Sequence, residues 1–211
     1  MKKLVSLFVF LVLPLMASAT NYQEGTHYTV VSSEATKKPE VREFFSFYCG
    51  HCFKFEPFMA SVKKQLPKGV KFEFNHVDFL RGASPTMQQM LTKAVIVAEQ
   101  MGMDAPLMRA VFNYIHVQRA VLTSEKDIRN IFVLNGADGE KFDKLMKSFN
   151  VNSQAKSMKK HQENMTAKRA LTGVPTIIVN GKYKIDPAKL DRNNFEKDYQ
   201  NLVKYLLELD S

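Results

Sequence analysis

The sequence predicts an α/β domain interrupted by an all-helical insertion. Three observations predict it. Strand-like and helix-like patterns alternate up to about residue 83. The stretch from 84 to 157 then shows little strand signal, and its apolar residues recur at helical spacing. After it come a helix, a hairpin and a closing helix. That order fits one layered α/β domain, 20–83 and 158–211, carrying an insertion at 84–157, better than two domains in series.

In chain order, the N-terminus comes first. Lys2 and Lys3 precede an almost uninterrupted apolar run from Leu4 to Met16, and Ala17-Ser18-Ala19 has the small-x-small pattern of a signal-peptidase site. Residues 1–19 are therefore read as a secretory signal peptide, with the mature chain starting at Thr20. A spanning helix needs about 20 apolar residues, more than this run holds.

His27 to Val31 reads as a short strand. Val41 to Phe47 is an apolar and aromatic run of strand length. From Gly50 to about Leu66 the pattern is helical, with Phe53, Phe55, Met59, Ala60 and Val62 apolar, and Pro67 and Gly69 stop it. Pro57 lies inside this helix, where it is expected to kink rather than end it. Lys71 to Asp78 alternates Phe72, Phe74 and His76 with polar neighbours, a second strand pattern.

In the insertion, Met87, Met90, Leu91, Ala94, Val95, Val97 and Ala98 form one stripe, read as core rather than a cofactor pocket. Further helices are expected at Pro106–Arg119, Ser124–Leu134 and Gly139–Phe149. Ser124 is an N-cap with Asp127 three residues on, and Gly102 and Gly136 are terminators. Another helix is expected over Ser153–Leu171. Pro175 to Val179 is then a strand, Asn180-Gly181 a type I′ turn, and Lys182 to Ile185 the partner strand. Phe195, Tyr199, Leu202, Val203, Leu206 and Leu207 mark an amphipathic closing helix.

The formal net charge is +9. Lys156, Lys159, Lys160, Lys168 and Arg169, with Glu163 among them, read as a solvated helix face. No basic–aromatic motif accompanies them, so nucleic acid is not expected as a partner.

The chemistry is concentrated in the chain's two cysteines, Cys49 and Cys52. A disulfide closing so short a loop constrains the unfolded chain little, so it suits a bond that opens and closes. Placed where a helix begins, Cys49 faces unpaired N–H groups and the positive dipole end, which favour a thiolate. Cys49 is therefore the expected attacking or attacked sulfur and Cys52 the resolving one. His51 can add positive charge beside Cys49, and Gly50 permits the tight turn into the helix. A structural zinc site would need four ligands. With no second cysteine pair, and with His27, His76, His116 and His161 single and scattered as surface or satisfied histidines, no metal site is expected. Copper on Cys49, His51 and Cys52 is the alternative.

Three segments carry a family resemblance. Glu43-Phe44-Phe45-Ser46-Phe47-Tyr48-Cys49-Gly50-His51-Cys52, then Gly173-Val174-Pro175-Thr176, then Val179-Asn180-Gly181-Lys182-Tyr183, together with the helical insertion, resemble the thioredoxin superfamily and within it the DsbA family of periplasmic disulfide oxidoreductases. The resemblance spans nearly all of the mature chain. It implies a thioredoxin-like fold with an all-helical insertion domain, a periplasmic location and no organic cofactor. It implies that Pro175 follows a cis bond beside the disulfide and that Val174 offers its backbone to a substrate strand. Glu43 would be the buried acid beneath Cys52, with Glu56 a second acidic neighbour. The activity implied is donation of the Cys49–Cys52 disulfide to reduced secreted proteins. A quinone-linked membrane partner of the DsbB type would re-oxidise the chain. Isomerase or reductase activity is the enzymatic alternative, and a copper- or peptide-binding module the other. No dimerisation domain is evident, so a monomer is expected.

Two features depart from the family pattern. DsbA proteins commonly carry proline where Gly50 stands, whereas Cys-Gly-His-Cys is typical of protein disulfide isomerase, the weaker oxidant of the two. A somewhat weaker oxidant is therefore expected. The chain also contains no tryptophan, so it lacks the family's usual fluorescent reporter of redox state.

Overall fold

A computed structural model describes residues 22–209. The predicted signal peptide, 1–19, and the predicted start at Thr20 lie outside those residues. Five strands and seven α-helices follow one another in the described chain: β1 (Tyr28–Val30), β2 (Glu40–Phe45), α1 (Gly50–Gln65), β3 (Lys71–His76), α2 (Pro85–Gln100), α3 (Asp104–His116), α4 (Glu125–Leu134), α5 (Gly139–Lys147), α6 (Phe149–Ala167), β4 (Thr176–Val179), β5 (Tyr183–Ile185) and α7 (Phe195–Glu208). The sheet order is β1-β5-β4-β2-β3. β2 and β3 run parallel across the α1 crossover, and every other pairing is antiparallel.

The two-residue pleat of a strand divides β2 between two cores. Val41 packs with Met59, Ile177, Val179, Tyr199 and Leu202 under α1 and α7. Phe44 points the other way, to Val77, Met165, Leu171 and Ile178 at the end of α6. Phe45 and Phe47 lead into a third core. It runs through Cys49 and Cys52 into the insertion, to Leu91, Leu107, Phe112, Ile128, Phe132 and Phe142. The cysteine loop therefore lies in apolar continuity with the insertion, which is what positions the site.

Boundaries moved where local hydrogen bonds compete with periodicity. β2 ends at Phe45, two residues early, because the chain turns at Ser46. The Cys49 N–H donates to the Ser46 carbonyl at 3.0 Å, and the Tyr48 N–H to Ser46 Oγ at 3.2 Å. α6 begins at Phe149, four residues early. Ser148 closes α5, and its hydroxyl accepts from the Val151 N–H at 3.2 Å, so one serine ends one helix and caps the next. α6 stops at Ala167, where Arg169 takes a left-handed φ of 56°. It runs through the sequence-drawn boundary between 157 and 158. α3 starts and ends earlier than periodicity implied, with Arg119 left-handed beyond it. Pro57 lies within α1 without ending it.

The punctuation signals are met. Gly102 and Gly136 follow helix ends with φ of 69° and 89°. The Asp127 carboxylate accepts from the Ser124 N–H at 2.9 Å. Asn180 and Gly181 both have positive φ, 52° and 63°, as a type I′ turn requires. A Cβ on Gly181 would stand 2.9 Å from the Thr36 methyl. Gly181→Ala therefore combines backbone strain with a clash. It is expected to cost about 1–2 kcal/mol, read as a lower urea midpoint. An unchanged midpoint would show that the turn relaxes freely. Among the described residues, no helix is long and apolar enough to cross a membrane.

Candidate active site

Cys49 and Cys52 are joined as a disulfide, with Cα atoms 5.2 Å apart. Cys49 is the N-cap of α1, in extended conformation, and its Sγ accepts from the Cys52 N–H at 3.0 Å. No acidic residue stands in the first turn of α1. A thiolate here would meet the positive end of the helix dipole and a ready N–H donor. The two sulfurs differ in access: Cys49 is 7% exposed and Cys52 1%. His51, between them, is exposed.

The loop before β4 closes the site from the other side. The Val174–Pro175 bond is cis, and the Val174 carbonyl oxygen lies 3.4 Å from Cys49 Sγ. Thr176 Oγ1 donates to the Gly173 carbonyl at 2.7 Å and so ties the loop to itself. Beside it opens a cavity of about 510 Å³, lined in part by Phe55, Val174, Pro175, Ile177 and Tyr199.

Behind the disulfide lies a second cavity, about 360 Å³, between α1 and α3. Glu43, Cys52, Glu56, Lys63, Asp104 and Phe112 are among its walls. Glu43 shares the α1 face of β2 with Val41 and Phe45, which is why an acid in this run is buried. Burial first, and the Glu56 charge second, push its carboxyl up to about 8. Burial also raises Glu56, against the lowering pull of Arg109. The pairs Glu56–Arg109 and Lys63–Asp104 both tie α1 to α3 beside this cavity.

The fold thus gathers Cys49, Cys52, His51, Glu43, Glu56, Val174 and Pro175 at one place, from segments more than 120 residues apart. His76, read as a surface or satisfied histidine, is a core residue whose buried Nε2 has no hydrogen-bond partner among the described residues. Its Nδ1 lies 3.0 Å from Thr92 Oγ1, and burial pushes it down to about 3. His116 is different. Read as scattered, it belongs to the site: its Nε2 lies 2.8 Å from the Phe47 carbonyl oxygen, at the foot of the cysteine loop. Nothing local in the sequence marks it, because that contact joins residues 69 apart.

A mixed sheet with Cys-x-x-Cys capping α1, facing a cis-proline loop, defines a thiol:disulfide oxidoreductase of the thioredoxin fold. Comparison with known proteins narrows this. Residues 40–200 match the DSBA-like thioredoxin domain. The thiol:disulfide interchange protein DsbA of Escherichia coli (strain K12) is 37% identical over 214 residues, covering 99% of each chain. The DsbA structure from Klebsiella pneumoniae superposes with a TM-score of 0.78 at 32% identity, covering 90% of this chain and 100% of that one. A Proteus mirabilis DsbA, solved with a non-covalently bound peptide, gives 0.78 at 31% identity over 89% of this chain and 99% of its own. The chain belongs to the DsbA family.

Proposed function

We propose that the oxidised chain donates its Cys49–Cys52 disulfide to reduced proteins entering the periplasm. The observation that carries this reading is the asymmetry of the two sulfurs. Cys49 caps the helix beside the Val174 carbonyl and is the more accessible, while Cys52 is buried against Glu43's cavity. A substrate thiolate attacks Cys49 Sγ and forms a mixed disulfide as the Cys49–Cys52 bond breaks. Cys52 leaves as a thiolate and takes a proton, for which Glu43, protonated at neutral pH, is the nearby source. The substrate's second thiolate then attacks its own sulfur in the mixed disulfide and releases Cys49 as a thiolate. Two electrons have passed from substrate to enzyme, Cys49 is left as a thiolate, and the proton that Glu43 gave to Cys52 is regained from solvent, with no organic cofactor.

His51 and the helix N-terminus favour the Cys49 thiolate in this scheme, and the Val174 backbone aligns the substrate strand beside Pro175. The peptide held by the Proteus mirabilis relative supports a peptide substrate. The signal-peptide reading of residues 1–19 supports export, and residues 84–157 are assigned as the helical insertion domain. A quinone-linked membrane partner is the proposed re-oxidant, and the working unit a monomer.

The test is a Cys52→Ala variant incubated with secreted proteins and glutathione disulfide, which supplies the oxidising equivalent that a lone cysteine lacks. It is expected to accumulate mixed disulfides through Cys49; failure to trap any protein overturns the reading. The reduction potential against glutathione separates the oxidase from its alternative, since a value near thioredoxin's would favour a reductase. Tight copper binding without exchange would favour a metal module.

A further inference from the structure

The reaction scheme assigns nothing to His116, yet this residue reaches the foot of the cysteine loop. It is the last residue of α3, so it comes from the insertion. Its ring is stacked on Phe53, with centroids 5.1 Å apart and planes within 7°. A Cβ built on Gly50 would lie 4.0 Å from its Cε1. Its Nε2 is 2.8 Å from the Phe47 carbonyl oxygen. One imidazole thus contacts residues 47 and 53, and Cys49 and Cys52 lie between them in the chain.

We propose that His116 is a positioning residue for Cys49, holding the Phe47 carbonyl through Nε2–H so that the cysteine loop keeps Cys49 at the helix N-terminus. A carbonyl oxygen only accepts, so Nε2 must carry the proton. That hydrogen bond has two effects on the sulfur. It fixes the base of the Ser46–Cys49 turn, whose own bonds are the Cys49 N–H to the Ser46 carbonyl and the Tyr48 N–H to Ser46 Oγ. It also occupies a carbonyl oxygen two residues from Cys49, whose negative end would otherwise be free to turn towards a thiolate. Both effects favour the thiolate, and hence the reduced enzyme, which makes the disulfide more oxidising. Phe53 stacks on the ring and sets its plane.

The inference rests on Cys49 being the reacting sulfur, which the Cys52→Ala trap tests separately. His116→Phe keeps an aromatic ring against Phe53 but loses the donor. His116→Gln restores an N–H donor without the ring. Two readouts that a purely structural role would not move are the thiolate titration of Cys49 and the equilibrium constant with glutathione. In His116→Phe, the Cys49 pKa is expected to rise and the equilibrium to move about three- to tenfold towards the oxidised enzyme, the worth of one ordinary hydrogen bond. His116→Gln is expected to recover most of that shift. If His116→Phe matches the unsubstituted chain in both readouts, the proposal is overturned, whatever its stability.

Should the variants fold poorly, the unsubstituted chain still decides. ¹⁵N correlation spectra of His116 are expected to show an Nε2–H tautomer whose resonance moves when the disulfide is reduced. An Nδ1–H tautomer, or a resonance indifferent to reduction, overturns the proposal. A chain that traps substrate through Cys49 yet fails these tests loses the His116 role alone.

Discussion

Cys49→Ala is expected to abolish disulfide donation and, unlike Cys52→Ala, to leave no trapped substrate. The chain has only two cysteines. Oxidising a dithiol needs a disulfide to break, so a chain with either cysteine alone holds no oxidising equivalent of its own. Catalysed oxidation of a reduced peptide should fall by more than about a thousandfold in both variants, as when a nucleophile is deleted. The difference lies in the adduct. With Cys52 at 1% exposure, a mixed disulfide through the remaining sulfur of Cys49→Ala would have to form inside the core. Mass spectrometry of both variants after exposure to a peptide disulfide reads this directly. Equal adduct formation would show that access does not choose the sulfur.

Glu43→Gln is expected to stabilise the protein by about 3 kcal/mol at pH 7 and hardly at all at pH 4. The sign follows from linkage. The carboxyl titrates near 4.5 when free and is pushed up to about 8 in the fold. Below pH 4.5 both states hold the proton and the site costs nothing. Between 4.5 and 8 the unfolded chain ionises while the native one does not, so stability drains away at about 1.4 kcal/mol per pH unit. Above pH 8 the loss is complete and constant. Glutamine keeps the volume and cannot ionise, so it removes the loss. Urea unfolding of both chains at pH 4 and pH 7 checks this. A stability difference of the same size at both pH values would mean that Glu43 is not held protonated.

Burial of this kind is costly, and the apolar core around it does not require an acid. Glu43 lies on the inward face of β2, so an aliphatic residue would pack there. Retaining an ionisable group at that position is consistent with proton transfer to Cys52, the role assigned to it above.

Much of this was legible in the residues alone. Periodicity defined the order of elements because burial on one face forces apolar residues to recur at 2 or 3.6. Gly102, Gly136 and Asn180-Gly181 marked their turns because few other residues tolerate positive φ. Cys49 and Cys52 marked the chemistry because two cysteines three residues apart at a helix start suit redox exchange, and the later Val174-Pro175 before a strand made that reading specific. Helix boundaries were less legible. Ser148 both ends α5 and caps α6, and periodicity does not record a hydroxyl's choice of partner.

The sequence by itself therefore determined the class of chemistry, the identity of the two sulfurs and the α/β plan, all set by local spacing and backbone preference. Only the tertiary structure decided that the Val174 carbonyl meets Cys49, that Glu43 and Glu56 share one cavity with Cys52, and that His116 reaches the cysteine loop. Those juxtapositions arise because separate apolar faces must close on one another to leave water. Which polar groups are carried together by that closure depends on the whole packing, not on any stretch of chain.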